Sequence, residues 1–219
     1  MAQAELLEDG DGVVRAARAA FQRVGPPSEE RFNQALALAV YGSRARGDAE
    51  AGSDFDILVV TDHTSSRAVT EGSVSVTFYP RHKLLGLARR GDLFVLHLIH
   101  EAKFSYDPTG FAGALRAAFR YRASYRREVL RAAALGWFLV ANGHRLDPRL
   151  VNRRAAWCVR TILIAEAAQG RNPIFAAEDL ANFSGDEATR TILQRKSAAD
   201  LDVHVLTTLA LFLRRRGFK

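Results

Sequence analysis

The sequence predicts an α+β fold, with a small mixed β-sheet core over residues 1–108 and an all-helical domain over 109–219. Three observations carry this. Short apolar or alternating runs of strand length cluster between residues 36 and 79. From Pro80 onward the apolar period lengthens to that of a helix. After Thr109 nearly every stretch reads as helix, punctuated at Gly143, Asp147-Pro148, Gly170-Arg171-Asn172-Pro173 and Gly185. Strands gathered at one end of a chain and helices at the other give this layered class rather than a βαβ alternation.

In chain order, residues 13–24 space their apolar side chains as a helix does and stop at the breaker Gly25-Pro26-Pro27. Ser28, followed by acids, has the chemistry of a helix N-cap. Leu36 to Tyr41 is a compact apolar run that reads as a buried strand, and the polar, Gly-rich turn Gly42 to Ser53 follows it. A second strand runs from Asp54 to Thr61 around Ile57-Leu58-Val59-Val60, and a third, alternating one from Val74 to Tyr79. About twelve residues separate those two strands. That is short for a helical crossover, so an antiparallel, hairpin-like connection is expected. Two helices broken at Gly91 follow, over Leu84–Ala88 and Leu93–Leu98, and then a short edge strand over Lys103–Tyr106. The remaining helices are expected at 110–120, 124–142, 148–169, 177–183, 186–195 and 200–216.

Composition narrows the function classes. Apolar residues make up 48% of the 219 and charged residues 25%, the balance of a folded globular chain. No apolar run approaches the ~20 residues that span a bilayer, and the start Met1-Ala2-Gln3-Ala4-Glu5 lacks the pattern of a secretory signal. The expectation is a cytoplasmic protein without a membrane partner. Cys158 is the only cysteine, which leaves no intrachain disulfide and no cysteine-based zinc site. Lys and Arg number 31 against 24 Asp and Glu, a net +7 supplied mostly by arginine. Arginine is the better fork for phosphate, yet an Ala- and Arg-rich composition is also what a GC-rich genome produces.

The chemistry lies in Gly42-Ser43-Arg44-Ala45-Arg46-Gly47-Asp48-Ala49 and Ser53-Asp54-Phe55-Asp56, between two apolar strands. A strand delivers Gly42 and Ser43 to the start of a turn or helix. Glycine lets the backbone approach a phosphate, and amide N–H groups with the serine hydroxyl can donate to its oxygens. Ten residues later Asp54 and Asp56, two apart on a strand, fall on one face. Like charges so placed repel unless a cation lies between them. Hard oxygen ligands combined with substrate phosphates suit Mg²⁺, which can stabilise the attacking and leaving oxygens of a phosphoryl displacement. The plain alternative is a strand-to-helix turn at Gly42-Ser43 with Asp54 as a cap.

Gly42-Ser43, ten residues, then Asp54-x-Asp56 resembles the signature of the DNA polymerase beta-like nucleotidyltransferase superfamily, and most of all its minimal and kanamycin-type bacterial members. The match covers about twenty residues; over the rest of the chain it is one of layout, a sheet-bearing core with a helical partner or C-terminal domain. The resemblance implies a Mg²⁺-dependent transfer of a nucleoside monophosphate from a nucleoside triphosphate (ATP among the candidates) to a hydroxyl or phosphate acceptor. That acceptor is RNA or a tRNA end, a protein or a small molecule. Gly42 and Ser43 would then bind the nucleotide, and Asp54 and Asp56 would be the catalytic metal ligands. An oligomer is compatible with it. The family usually adds a third carboxylate from a following strand. Here that strand offers Ser75 and Thr77, with Glu71 just before it and Glu101 farther along as substitutes. A catalytically impaired nucleotide-binding regulatory module, or a nucleic-acid-binding subunit, is therefore the competing reading.

Four further features carry weaker expectations. Arg44 and Arg46 are as well placed for a salt bridge to Asp48 as for phosphate. Arg90 and His97 have the spacing of a ribonuclease motif known in partner helical proteins, but in the wrong half of the chain. Arg120-Tyr121-Arg122 and Tyr125-Arg126-Arg127 interleave arginine with aromatics as nucleic-acid surfaces do, and as a solvated amphipathic helix also does. Asn172-Pro173-Ile174-Phe175 is a loop that could border a cleft.

Overall fold

The computed structural model describes residues 34–49 and 53–219. The helix expected over 13–24, its breaker, the Ser28 cap and residues 50–52 of the turn lie outside the described residues. The chain forms two compact units, one closing at Arg120 and one spanning Tyr121–Lys219.

In the first unit, β1 (Ala37–Tyr41), β2 (Phe55–Thr61), β3 (Arg67–Glu71), β4 (Val74–Pro80) and β5 (Lys103–Tyr106) build one mixed sheet in the order β3-β4-β2-β1-β5. β1 runs antiparallel to β2 with Tyr41 opposite Asp56, and β5 closes the β1 edge antiparallel, as an edge strand should. Alternation divides the sheet into two faces. Leu38, Val40, Phe55, Ile57, Val59, Val76 and Phe78 cluster on one with Ala45. Tyr41, Asp56, Leu58, Ser75, Thr77 and Tyr79 alternate with these and point to the other.

The connection from β2 to β4 corrects the sequence reading. The two strands are parallel neighbours, with Asp56 beside Ser75 and Leu58 beside Thr77. The intervening residues hold β3, which passes to the far side of β4 and returns antiparallel, with Glu71 opposite Val74. A tight turn at Gly72, φ 56°, lets so short a segment reverse. The hairpin exists, but it joins β3 to β4. A segment too short for a crossover helix is long enough for one exposed edge strand and its turns.

A single helical turn, α1 (Ser43–Arg46), follows β1. α2 (Arg81–Arg89) starts directly from β4, and α3 (Leu93–Glu101) is capped by Asp92, whose carboxylate accepts from Phe94 N at 2.9 Å. Phe94 of α3 sets its ring against Tyr41 (centroids 5.7 Å) and Tyr79 (5.4 Å), so α3 covers the Asp56 face. α4 (Phe111–Ala118) buries Phe111 and Leu115 in the same unit, and Arg120 N donates to Ala88 O of α2 at 3.0 Å.

The second unit is a bundle of α5 (Arg126–Asn142), α6 (Pro148–Gln169), α7 (Ala177–Ser184), α8 (Glu187–Gln194) and α9 (Val203–Arg215). α6 is its axis, burying Val151, Ala155, Val159, Ile162 and Leu163 among others. It opens on Asp147, which accepts from Leu150 N at 2.9 Å, with Pro148 in the first turn where no N–H is needed. Gly136 of α5 allows Leu213 of α9 to approach so closely that a Cβ there would lie 2.9 Å from its Cδ1. Among the described residues, no helix is long and apolar enough to cross a membrane.

Candidate functional site

β1 ends at Tyr41 beside the start of β2, so the antiparallel register alone brings Gly42 to Asp56. The contact is close: a Cβ built on Gly42 would lie 3.0 Å from Asp56 Oδ2. Gly42 has φ 77° and ψ −156°, a conformation essentially confined to glycine. Its identity is thus fixed twice, by backbone and by the carboxylate against it. Ser43 opens α1, with Gly42 as its N-cap. The first bond closing the turn runs from Arg46 N to Gly42 O, 3.1 Å, so the Ser43, Arg44 and Ala45 amides precede any acceptor in their own helix. Asp56 is half-buried within β2, whereas Asp54 is exposed, one residue before the strand begins.

The neighbours of this corner were not evident from the sequence. Tyr41 is half-buried, and burial first, then the negative charge of Asp56, push its phenol up to about 12, with a hydrogen bond to Thr77 working against them. The Tyr41 ring lies edge-on to His97 of α3, centroids 5.9 Å apart. Arg44 donates from Nη2 to Ser53 O at 3.2 Å, with its guanidinium 6.0 Å from the Phe55 ring centroid. It thereby ties α1 to the residue before Asp54. Arg46 takes the salt-bridge alternative: its Nε bonds both Asp48 oxygens (3.2 and 3.1 Å), and its Nη1 donates to Glu101 Oε2 at 2.7 Å. Burial works against the charge on Arg46, and Asp48 and Glu101 outweigh it, raising its pKa.

The substitutes for a third carboxylate resolve as follows. Ser75 and Thr77 do sit on the Asp56 face, beside Asp56 and Leu58 in the ladder. Glu101 is nearly buried and committed to Arg46 and to His97 one turn before it. Glu71 lies on the edge strand β3, and its side chain is outside the described residues. Among the described residues, no three His, Cys, Asp or Glu side chains gather as metal ligands. Asp56 alone is placed against Gly42, with Asp54 two residues earlier in the chain and exposed; carboxylates are hard oxygen donors of the kind Mg²⁺ takes when substrate phosphates complete its shell.

The remaining motifs have structural roles. His97, paired in spacing with Arg90, contacts Glu101 and Tyr41. Arg120 donates to Ala117 O and Phe119 O at 2.7 and 2.8 Å. Arg122 bonds Glu128 and lies 5.9 Å from the ring centroid of the buried Tyr125, and the exposed arginines of the basic run are Arg120, Arg126 and Arg127. Phe175 is buried, and its carbonyl accepts from Arg160 Nη2 at 2.9 Å.

With this geometry established, one family model matches part of the chain. Residues 29–107 match the model of the nucleotidyltransferase domain. Among solved structures, the chain is similar to a nucleotidyltransferase-like protein from Exiguobacterium sibiricum 255-15. The two are 12% identical with a TM-score of 0.35, over 93% of this chain and 75% of that one. No curated protein matches the sequence.

Proposed function

We propose, from the premise that residues 29–107 form a nucleotidyltransferase domain, that the protein moves a nucleoside monophosphate from a nucleoside triphosphate to a hydroxyl or phosphate acceptor. The acceptor oxygen bonds to the α-phosphorus, the bond to the β-phosphate oxygen breaks, and pyrophosphate leaves. The observation that carries this reading is the contact of the Asp56 carboxylate with Gly42, which joins the candidate metal ligand to the candidate phosphate turn.

Gly42 and the α1 amides, with the Ser43 hydroxyl, receive the triphosphate. Asp54 and Asp56 hold Mg²⁺, which when bound neutralises phosphate charge and polarises the phosphorus centre. Arg44 keeps the turn and the Asp54 approach in fixed relation through Ser53 O. Exposed Arg126 and Arg127 favour a nucleic-acid acceptor over a small molecule.

A second reading, nucleotide binding without transfer, is favoured by one observation. The positions facing Asp56 hold Ser75 and Thr77, and Glu101 is committed elsewhere. Incubating the protein with each α-labelled ribonucleotide, Mg²⁺ and pools of RNA, protein and small molecules separates the two. Label transferred to any pool supports the first reading. Retention of nucleotide without transfer supports the second, and neither binding nor transfer overturns both.

A further inference from the structure

Asp48, Arg46, Glu101 and His97 form a chain of polar contacts, with ion pairs from Arg46 to Asp48 and to Glu101, that begins in the turn after Ser43 and ends against the residue before Gly42. Arg46 is its centre, 17% exposed, with Asp48 on one side and Glu101, 8% exposed, on the other. Glu101 closes α3 and meets His97, whose ring lies against Tyr41, and Tyr41 leads directly into Gly42. Both ends of the Gly42-Ser43 turn are therefore fastened to one helix end. The bond from Arg46 to Glu101 spans 55 residues of sequence, so it fixes tertiary position, which a four-residue helix could not do for itself. A nearly buried carboxylate with two cationic or hydrogen-bonding partners is tied down, whereas a proton acceptor or metal ligand must face its substrate.

We infer that Glu101 is a positioning residue: through Arg46 it holds the α1 turn in the geometry that receives the triphosphate, and it is neither the missing metal carboxylate nor a general base. The inference rests on the nucleotide-binding part of the proposed function. It assigns Glu101 a role distinct from that of Asp54 and Asp56. Its consequence is an effect on nucleotide affinity transmitted through Arg46.

The test uses the full chain and four variants, Glu101→Ala, Glu101→Gln, Arg46→Ala and Arg46→Ala/Glu101→Ala. Three quantities are read: the Kd for each of ATP, GTP, CTP and UTP with Mg²⁺, the turnover in the label-transfer assay, and amide hydrogen exchange over Ser43–Asp48. Glu101→Ala should weaken the nucleotide that wild type binds by about tenfold, ~1.4 kcal/mol. The double variant should be no weaker than Arg46→Ala, because Glu101 acts through that arginine. Glu101→Gln keeps an oxygen for Arg46 and should stay within about threefold of wild type. Exchange should accelerate in the two alanine single variants and not in Glu101→Gln. A Glu101→Gln variant with unchanged Kd and turnover reduced by about a hundredfold or more would identify a general base and overturn the inference. So would affinity and exchange that no variant alters. If wild type binds none of the four nucleotides, the proposed function falls, and the exchange data alone decide whether Glu101 holds the turn.

Discussion

Replacing Gly42 with alanine imposes two costs at one residue, and a nearby glycine separates them. At φ 77° and ψ −156° the backbone lies where non-glycine residues cost ~1–3 kcal/mol. The new Cβ would lie 3.0 Å from Asp56 Oδ2, so the carboxylate must also move by a few tenths of an ångström. Gly47 is left-handed too, at φ 89° and ψ 11°, but nothing lies within 4 Å of a Cβ there. Gly47→Ala therefore carries backbone strain alone, ~1–2 kcal/mol. At about 2–4 °C per kcal/mol for a chain of this size, scanning calorimetry should show Gly42→Ala melting ~4–10 °C below wild type, and lower than Gly47→Ala. The Gly42→Ala/Asp56→Ala double variant should recover ~0.5 kcal/mol or more relative to the sum of the singles, since the clashing oxygen is gone. Mg²⁺-dependent nucleotide affinity should fall in Gly42→Ala and survive in Gly47→Ala. Equal destabilisation by the two glycine variants, together with additivity between Gly42→Ala and Asp56→Ala, would refute the carboxylate contact.

Three other outcomes follow from burial and charge. Because the Tyr41 phenol is raised from 10.0 to about 12, the folded state keeps a proton that the unfolded chain loses, so stability falls as pH rises between those values. Tyr41→Phe should flatten that alkaline loss, and an unchanged profile of melting temperature against pH would contradict the shift. Cys158 is fully buried, and burial raises its thiol to about 12, so a thiol reagent at pH 8 should label the protein only as it unfolds; fast labelling of native protein would contradict this. Gly136→Ala should lower the melting temperature despite better helix propensity, because Leu213 lies 2.9 Å from the added Cβ. Gly113→Ala, in α4 with nothing within 4 Å, should raise stability by ~0.5–1 kcal/mol, and the same sign of shift for both variants would refute the packing account.

What the sequence made legible follows from how local each signal is. β1, β2 and the helices from Arg81 onward announce themselves by period and punctuation within a single window of chain. β5 was placed at an edge because Lys103–Tyr106 is short and ends at Asp107-Pro108, and the sheet order agrees. β3 gives no signal in the sequence because Arg67-Ala68-Val69-Thr70 is exposed apart from half-buried Val69, and lacks the apolar alternation that marks a buried strand. Without β3 between them, β2 and β4 read as a hairpin, whereas they are parallel neighbours. The turn and the paired aspartates were legible because their spacing is local. The setting of Asp56 against Tyr41 and the bond from Arg46 to Glu101 depend on register and tertiary packing. A sequence window carries neither.

The central claim is that Asp54 and Asp56 couple nucleotide binding at Gly42-Ser43 to Mg²⁺. Titration calorimetry of each nucleoside triphosphate, with and without Mg²⁺, on wild type and on Asp54→Ala/Asp56→Ala tests it most directly. The variant should stay folded, since Asp54 is exposed and two neighbouring like charges are removed. Wild type should bind at least one nucleotide more tightly with Mg²⁺ than without, and the variant should lose that difference while keeping the weaker, metal-independent binding. An unchanged Mg²⁺-dependent affinity in the double variant would contradict the account.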